Sequence, residues 1–223
     1  MRFDIITIFP GIFNSYLNES ILRRAQKRGL IKIKIHNLRD FTRDKHKKVD
    51  DRPFGGGPGM ALKIEPLTRA ISSLKSKVKS QKSKVIIFTP TGKQFDNKIA
   101  ADLAKKNNQL ILICGRYEGI DERVKKVIQD TRYKVQEISI GPYVLTGGEL
   151  AAMVLIDAVS RQIKGVLGKC ESLEEKRFGV GTPVYTRPEV FKHKGKTYQV
   201  PKVLLSGNHK KIDEWRKKFV RNI

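Results

Sequence analysis

Apolar positions in this chain fall into a few uninterrupted runs separated by helical stripes. Residues 3–9, FDIITIF, carry too little alternation for a half-exposed strand and predict one buried on both faces. Pro10 and Gly11 end it, and a helical stripe then places Ile12, Phe13, Tyr16, Ile21 and Leu22 on one side. Residues 30–37, LIKIKIHN, alternate cleanly, so Ile31, Ile33 and Ile35 face inward and Lys32 and Lys34 outward. A more regular series follows. It comprises a strand at 85–90 (VIIFTP), a helix near 95–105, a strand at 110–115 (LILICG), a helix near 121–130, and a strand at 133–140 (YKVQEISI). Residues 147–163 read as a mostly buried helix. Strand–helix alternation of this kind predicts an α/β fold with a parallel sheet covered on both faces.

Between and beyond these elements the pattern weakens. Residues 39–59 form a long polar stretch, and such loops in compact domains are usually functional. Residues 73–84 read as a basic surface segment. After Ile163 the chain turns polar and glycine-rich through Pro188, which predicts a linker over 164–188. The remaining 189–223 hold a short strand pair and a last helix, 210–221, with Ile212, Trp215 and Phe219 on one stripe and bases opposite. That suits a small RNA-contacting appendage.

Charge sharpens this picture. The 223 residues include 46 Lys and Arg against 22 Asp and Glu, a net charge of +24, so a polyanionic partner is expected. The competing explanation is a general decoration of the surface with lysine. No apolar stretch is long enough to span a bilayer, no basic amphipathic helix suggests a membrane surface, and the N-terminus shows no cleavable leader. Cys114 and Cys170 make no disulfide framework, which fits a reducing, cytoplasmic setting.

Candidate chemistry gathers at glycines. RPFGGGPGM (52–60) lacks the Lys-Ser/Thr of a triphosphate loop, and no apolar strand leads into it. It is built for close backbone approach to something else. Three successive strand ends, TPTG (89–92), CGRYEGIDER (114–123) and SIGPYVLTGGE (139–149), set glycine beside polar or aromatic residues, where parallel sheets bind ligands. The four histidines are scattered with no ligand spacing, so no metal site is expected, and no Ser-His-Asp signature appears.

DDRPFGGGPGM, CGRYEGIDERV, SIGPYVLTGGEL, DAVSRQIKGVLG, YTRPEV and LLSGNH together resemble the bacterial tRNA (guanine-N1)-methyltransferase family, part of the SPOUT superfamily. The resemblance runs from the first strand to about Trp215. It implies a deep trefoil-knot domain over 1–163 that binds S-adenosylmethionine, the linker, and a shortened, mainly helical tRNA-binding domain over 189–223. The implied reaction methylates N1 of the guanosine at tRNA position 37, next to the anticodon. The implied assembly is a homodimer whose active site lies at the subunit interface, with the GGGPGM loop near it. Magnesium is admitted as a helper, with no ligands placed.

Carried over by position, the resemblance assigns Gly115, Tyr117, Ser139 and the run Ile140, Gly141, Pro142, Tyr143, Val144, Leu145 to the cofactor pocket. Thr89, Pro90, Gly147 and Gly148 become its walls. Guanine N1 bears a proton at neutral pH, so the step needs a base, and charge pushed onto the carbonyl oxygen needs a cation. Arg161 takes the cation's place, although Asp157 four residues earlier could simply pair with it. Glu118 matches a carboxylate near cofactor and substrate. The base position, two residues before Phe178, holds Lys176 where the family has Asp, so the expected proton acceptor becomes Glu175, or failing that Glu174. Pro142 stands where an acidic residue is usual, and the chain stops sooner than its relatives, which shifts tRNA grip toward the lysines of 192–218. Two other readings stay open: a knotted methyltransferase with another RNA target, and a tRNA-binding relative with impaired catalysis.

Overall fold

The computed structural model describes residues 1–75, 82–131, 133–168, 173 and 181–219. It divides into two compact units, 1–167 and 168–223. The boundary falls after Leu167, inside the expected linker. Val166 is buried in the first unit's core, and the Arg28 guanidinium donates to the Gly165 carbonyl at 2.8 Å.

The first unit is an α/β layer structure. Strands β1 (Arg2–Thr7), β2 (Lys32–Asn37), β5 (Ser83–Gln94), β6 (Gln109–Ile113) and β7 (Lys134–Ser139) form one sheet in the order β2-β1-β6-β5-β7. Every neighbouring pair is parallel. The apolar runs are explained by burial on both sides. Phe3, Ile5, Ile86, Leu110, Leu112 and Ile138 pack on one face, against α1 (Asn14–Leu17), α2 (Ser20–Lys27), α4 (Asn97–Lys106) and α6 (Glu149–Arg161). Ile6, Val85, Ile87, Ile111 and Ile113 pack on the other, against α3 (Ile64–Lys75) and α5 (Arg123–Gln129). Successive strand residues thus enter opposite cores, as a period of two requires.

Three expectations change in detail. The stripe after β1 is not one helix: a 3-10 turn (Pro10–Phe13) and α1 precede a break at 18–19, and α2 starts afresh. Phe13, Leu17 and Leu22 are buried, whereas Ile12, Tyr16 and Ile21 stay exposed. β5 does not stop at Pro90 but continues to Gln94. Phe88 and Lys93 both stand opposite Ile138, so residues 89–92 form an excursion from the ladder. The long polar stretch contains a small antiparallel pair, β3 (Asp50–Asp51) with β4 (Ala61–Leu62), and RPFGGGPGM is the loop that joins them.

The second unit holds an antiparallel hairpin, β8 (Val190–His193) with β9 (Lys196–Gln199), and helices α7 (Lys202–Leu205) and α8 (His209–Lys217). Asn208 caps α8 by accepting from the Lys211 amide at 3.1 Å. Trp215 packs with Tyr185 and Phe219, at ring centroid distances of 6.3 Å and 4.8 Å, and Ile212 is buried. The stripe of the last helix thus packs within its own unit, with Ile212 buried and Phe219 still exposed.

Candidate active site

β6, β5 and β7 are neighbours in the sheet, so their carboxyl ends emerge side by side. The segments that follow, the 89–92 excursion, loop 115–119 and loop 139–148, surround a cavity of about 390 Å³. That size suits a nucleoside-sized ligand.

Backbone geometry explains the small residues. A Cβ on Gly92 would lie 2.6 Å from the Ile138 nitrogen, and one on Gly148 would lie 2.8 Å from the Cys114 Cα. Loops 115–119 and 139–148 meet through the Gly148 amide, which donates to the Gly115 carbonyl at 2.9 Å. Ser139 Oγ donates to the Gly141 carbonyl at 3.0 Å and accepts from its amide at 3.3 Å, closing a tight turn. Tyr143 folds back so that its hydroxyl donates to the Ile140 carbonyl at 3.2 Å. Tyr117 adopts a left-handed backbone (φ 59°), uncommon outside glycine. Burial, then the charge of the Asp50 carboxylate and a hydrogen bond to it, push the Tyr117 hydroxyl's pKa up.

The site's charges are mostly paired. Arg116 Nε donates to Glu149 at 2.9 Å, and Thr7 Oγ1 donates to the other oxygen of the same buried carboxylate at 2.8 Å. The Arg116 guanidinium also lies 4.8 Å from the Phe9 ring centroid. Lys125 bridges Glu122 and Glu137, at 2.6 Å from each. Glu118 carries no ion pair among the described residues, and it lies against Gly59, where a Cβ would sit 2.6 Å from its Oε1. The Glu118 amide donates to the Met60 carbonyl at 3.0 Å, so the foot of the GGGPGM loop is bound to the cavity wall. Cys114, beneath the cavity, is wholly buried, and burial together with the Glu149 charge pushes its thiol far above the ordinary range. That makes it inert as a nucleophile.

Twelve of the thirteen expected pocket residues, together with Glu118, line this one cavity; Pro142 alone does not. Arg161 stands apart. It ends α6, twelve residues beyond Glu149 and about 18 Å along the helix from the end that borders the cavity. The Asp157 carboxylate accepts from the Tyr16 hydroxyl at 2.6 Å. Glu174, Glu175, Lys176 and Phe178 lie outside the described residues, as does Cys170. Sequence reasoning missed Arg116, Glu149 and Thr7. A Glu directly after Gly147-Gly148 was the available signal, but its partners are 33 and 142 residues away. Among the described residues, no three His, Cys, Asp or Glu side chains converge on a point.

The sheet and its cavity define an α/β protein with a ligand pocket at the carboxyl ends of adjacent parallel strands. The family model described as tRNA (Guanine-1)-methyltransferase TrmD matches residues 1–222, and the chain belongs to that family. A tRNA (guanine-N(1)-)-methyltransferase of Dictyoglomus turgidum is 52% identical over 98% of this chain and 84% of its own length. Its namesake in Geotalea uraniireducens is 51% identical over 98% of this chain and 85% of its own. That of Clostridioides difficile is 49% identical over 97% of this chain and 91% of its own. Among the described residues, no helix is long and apolar enough to cross a membrane.

Proposed function

We propose that this chain is an S-adenosylmethionine-dependent methyltransferase acting on N1 of guanosine 37 in tRNA, in the cytoplasm. The observation that carries the reading is the family match over 1–222, with the family's pocket positions gathered around a single cavity.

The residues present suit the donor. Ile87, Ile138 and Leu145 offer an apolar slot for a flat ring, and loop amides and carbonyls border it. Glu118 suits a cationic ligand, since the other cavity carboxylates already hold Lys125. When bound, S-adenosylmethionine supplies an electrophilic methyl on a sulfonium. Glu118 orients the purine, Arg161 steadies negative charge on the guanine carbonyl oxygen, and Glu175 accepts the N1 proton. The trefoil knot is part of this reading through the family match over 1–222 and the parallel five-stranded sheet.

The reading includes a homodimer, which the placement of Arg161 at the far end of α6 supports. Leu150, Val154, Asp157 and Arg161 share one stripe of α6 at spacings of four, three and four. Leu150 and Val154 are exposed there, beside exposed Phe9, Ile12 and Tyr16 of the adjoining segment. An apolar face of this kind is suited to a second copy, which would bring its own Arg161 to the cavity. The basic 189–223 segment then serves as the tRNA-binding domain, and 164–188 as the linker that precedes it.

The test is methylation of tRNA transcripts carrying G or A at position 37, using labelled S-adenosylmethionine, with the product mapped. Methyl on N1 of G37 alone supports the reading. Product at another base would replace the substrate, and tight binding without product would make this a non-catalytic relative.

A further inference from the structure

We propose that the hairpin β8–β9 is a base-stacking platform for unpaired nucleotides of the RNA substrate, an inference that rests on the tRNA reading above. Pairing of Phe191 with Tyr198 and of His193 with Lys196 puts these four side chains on one face of the ribbon. The turn between the strands, Lys194-Gly195, has both residues left-handed (φ 46° and 76°), which fixes this register in a two-residue connection.

Among the described residues no third strand joins the ribbon, and all eight of its strand residues are exposed. Phe191 is 55% exposed and Tyr198 53%. A lone two-stranded ribbon gains little from keeping large aromatic rings in water, so their placement calls for a ligand. The rings are ordered against each other. Phe191 lies nearly parallel to His193 (11°, centroids 6.0 Å apart) and is tilted against Tyr198 (38°, 6.4 Å).

Charge selects the ligand. Residues 190–199 include Lys192, Lys194 and Lys196 and no carboxylate. Flat aromatic faces flanked by ammonium groups match bases and phosphates together. Paired nucleotides present base edges in the groove, whereas unpaired ones expose the faces that such a platform needs. The occupant is therefore a loop segment of the tRNA.

The experiment uses the full chain and a tRNA transcript with 2-aminopurine at single positions of the anticodon loop, whose fluorescence is quenched by stacking. Wild-type protein is expected to quench one of these probes. Phe191→Ala and Tyr198→Ala should each abolish the quench and weaken tRNA binding by on the order of tenfold, with the loss in KM for tRNA rather than in kcat. Phe191→Trp should restore both. Calorimetric titration of S-adenosylmethionine into each variant checks that the pocket-bearing unit is intact. Unchanged tRNA affinity and quench in both Ala variants would overturn the platform. So would a shift from dimer to monomer in sedimentation, because the face would then belong to a second copy. Methylation by the wild type is scored separately. If it fails on every transcript the catalytic reading falls, while the quench still decides whether the hairpin holds RNA.

Discussion

Arg116 and Glu149 are 33 residues apart and joined at 2.9 Å, with the carboxylate side chain only 2% exposed. The pair ties the loop after β6 to the first turn of α6, and Thr7 anchors the same carboxylate to the end of β1. Glu149→Ala leaves the Arg116 Nε and the Thr7 hydroxyl without the acceptor that the buried carboxylate supplies. Such breakage costs about 3 kcal/mol, which corresponds to a fall in Tm on the order of 10 °C. Glu149→Gln keeps one acceptor oxygen and should lose roughly half as much. Because both loops line the cavity, binding of S-adenosylmethionine should weaken in the same order, Ala more than Gln. Thermal unfolding and calorimetry check this, and equal stability of all three proteins would refute it.

Gly92 tests the close approach of β5 to β7. A methyl group there meets the Ile138 and Glu137 backbones at 2.6 to 2.8 Å, with no flexible side chain to yield. Gly92→Ala should therefore destabilise the first unit by about 1–3 kcal/mol and weaken donor binding by displacing Thr89 and Pro90. Gly11→Ala is the control, since nothing lies within 4 Å of its Cβ position and its φ is unexceptional. Denaturant unfolding of the two variants should separate them clearly.

These two sites mark where the sequence stops being legible. β1, β6 and the first half of β5 could be read because they are buried on both faces and so are apolar whatever the partner, and edge strand β2 because its lysines alternate with isoleucines. The helices could be read because α4 and α6 bury one stripe each. The break before α2 could not, because Asn18 and Glu19 carry no Pro or Gly, and Ser20 takes a left-handed φ of 46° without being glycine. Thr89 to Gly92 looked like a strand end because Pro and Gly usually punctuate, yet the ladder resumes beyond them. The pocket's glycines were visible in sequence. The Arg116, Glu149 and Thr7 network that holds its walls was not, because only the folded topology brings those residues together. The separation of Arg161 from the cavity was equally invisible, since a motif carries no distance.

Tyr16 should show an alkaline signature. Its hydrogen bond to Asp157, reinforced by burial and the carboxylate's charge, pushes its pKa up to about 12 from an ordinary 10.0. The folded pKa lies above the unfolded one, so this contact's contribution to stability is complete below pH 10 and is lost as pH rises toward 12. Asp157→Asn should bring the Tyr16 titration back toward 10, read as phenolate absorbance in difference spectra against Tyr16→Phe. Tyr16→Phe itself should flatten the fall in stability over that interval. Identical phenolate titrations in wild type and Asp157→Asn would show that the pair does not form in solution.

Arg161 gives the sharpest test of a shared active site. Arg161→Ala should lower kcat by roughly a hundredfold or more, with little change in donor binding, because it stands at the far end of the helix whose first turn borders the cavity of its own chain. A second variant, Glu118→Gln, damages the cavity while leaving Arg161 intact. If each site joins one subunit's cavity to the other's arginine, a mixed dimer of the two variants rebuilds one complete site. It pairs the intact cavity of the Arg161→Ala chain with the intact arginine of the Glu118→Gln chain. Random one-to-one mixing should then recover about a quarter of wild-type methylation from two nearly inactive proteins. If cavity and arginine act within one chain, both sites of the mixed dimer stay defective and mixing recovers nothing. Titrating the subunit ratio while following methyl transfer therefore separates the two arrangements without any further structure.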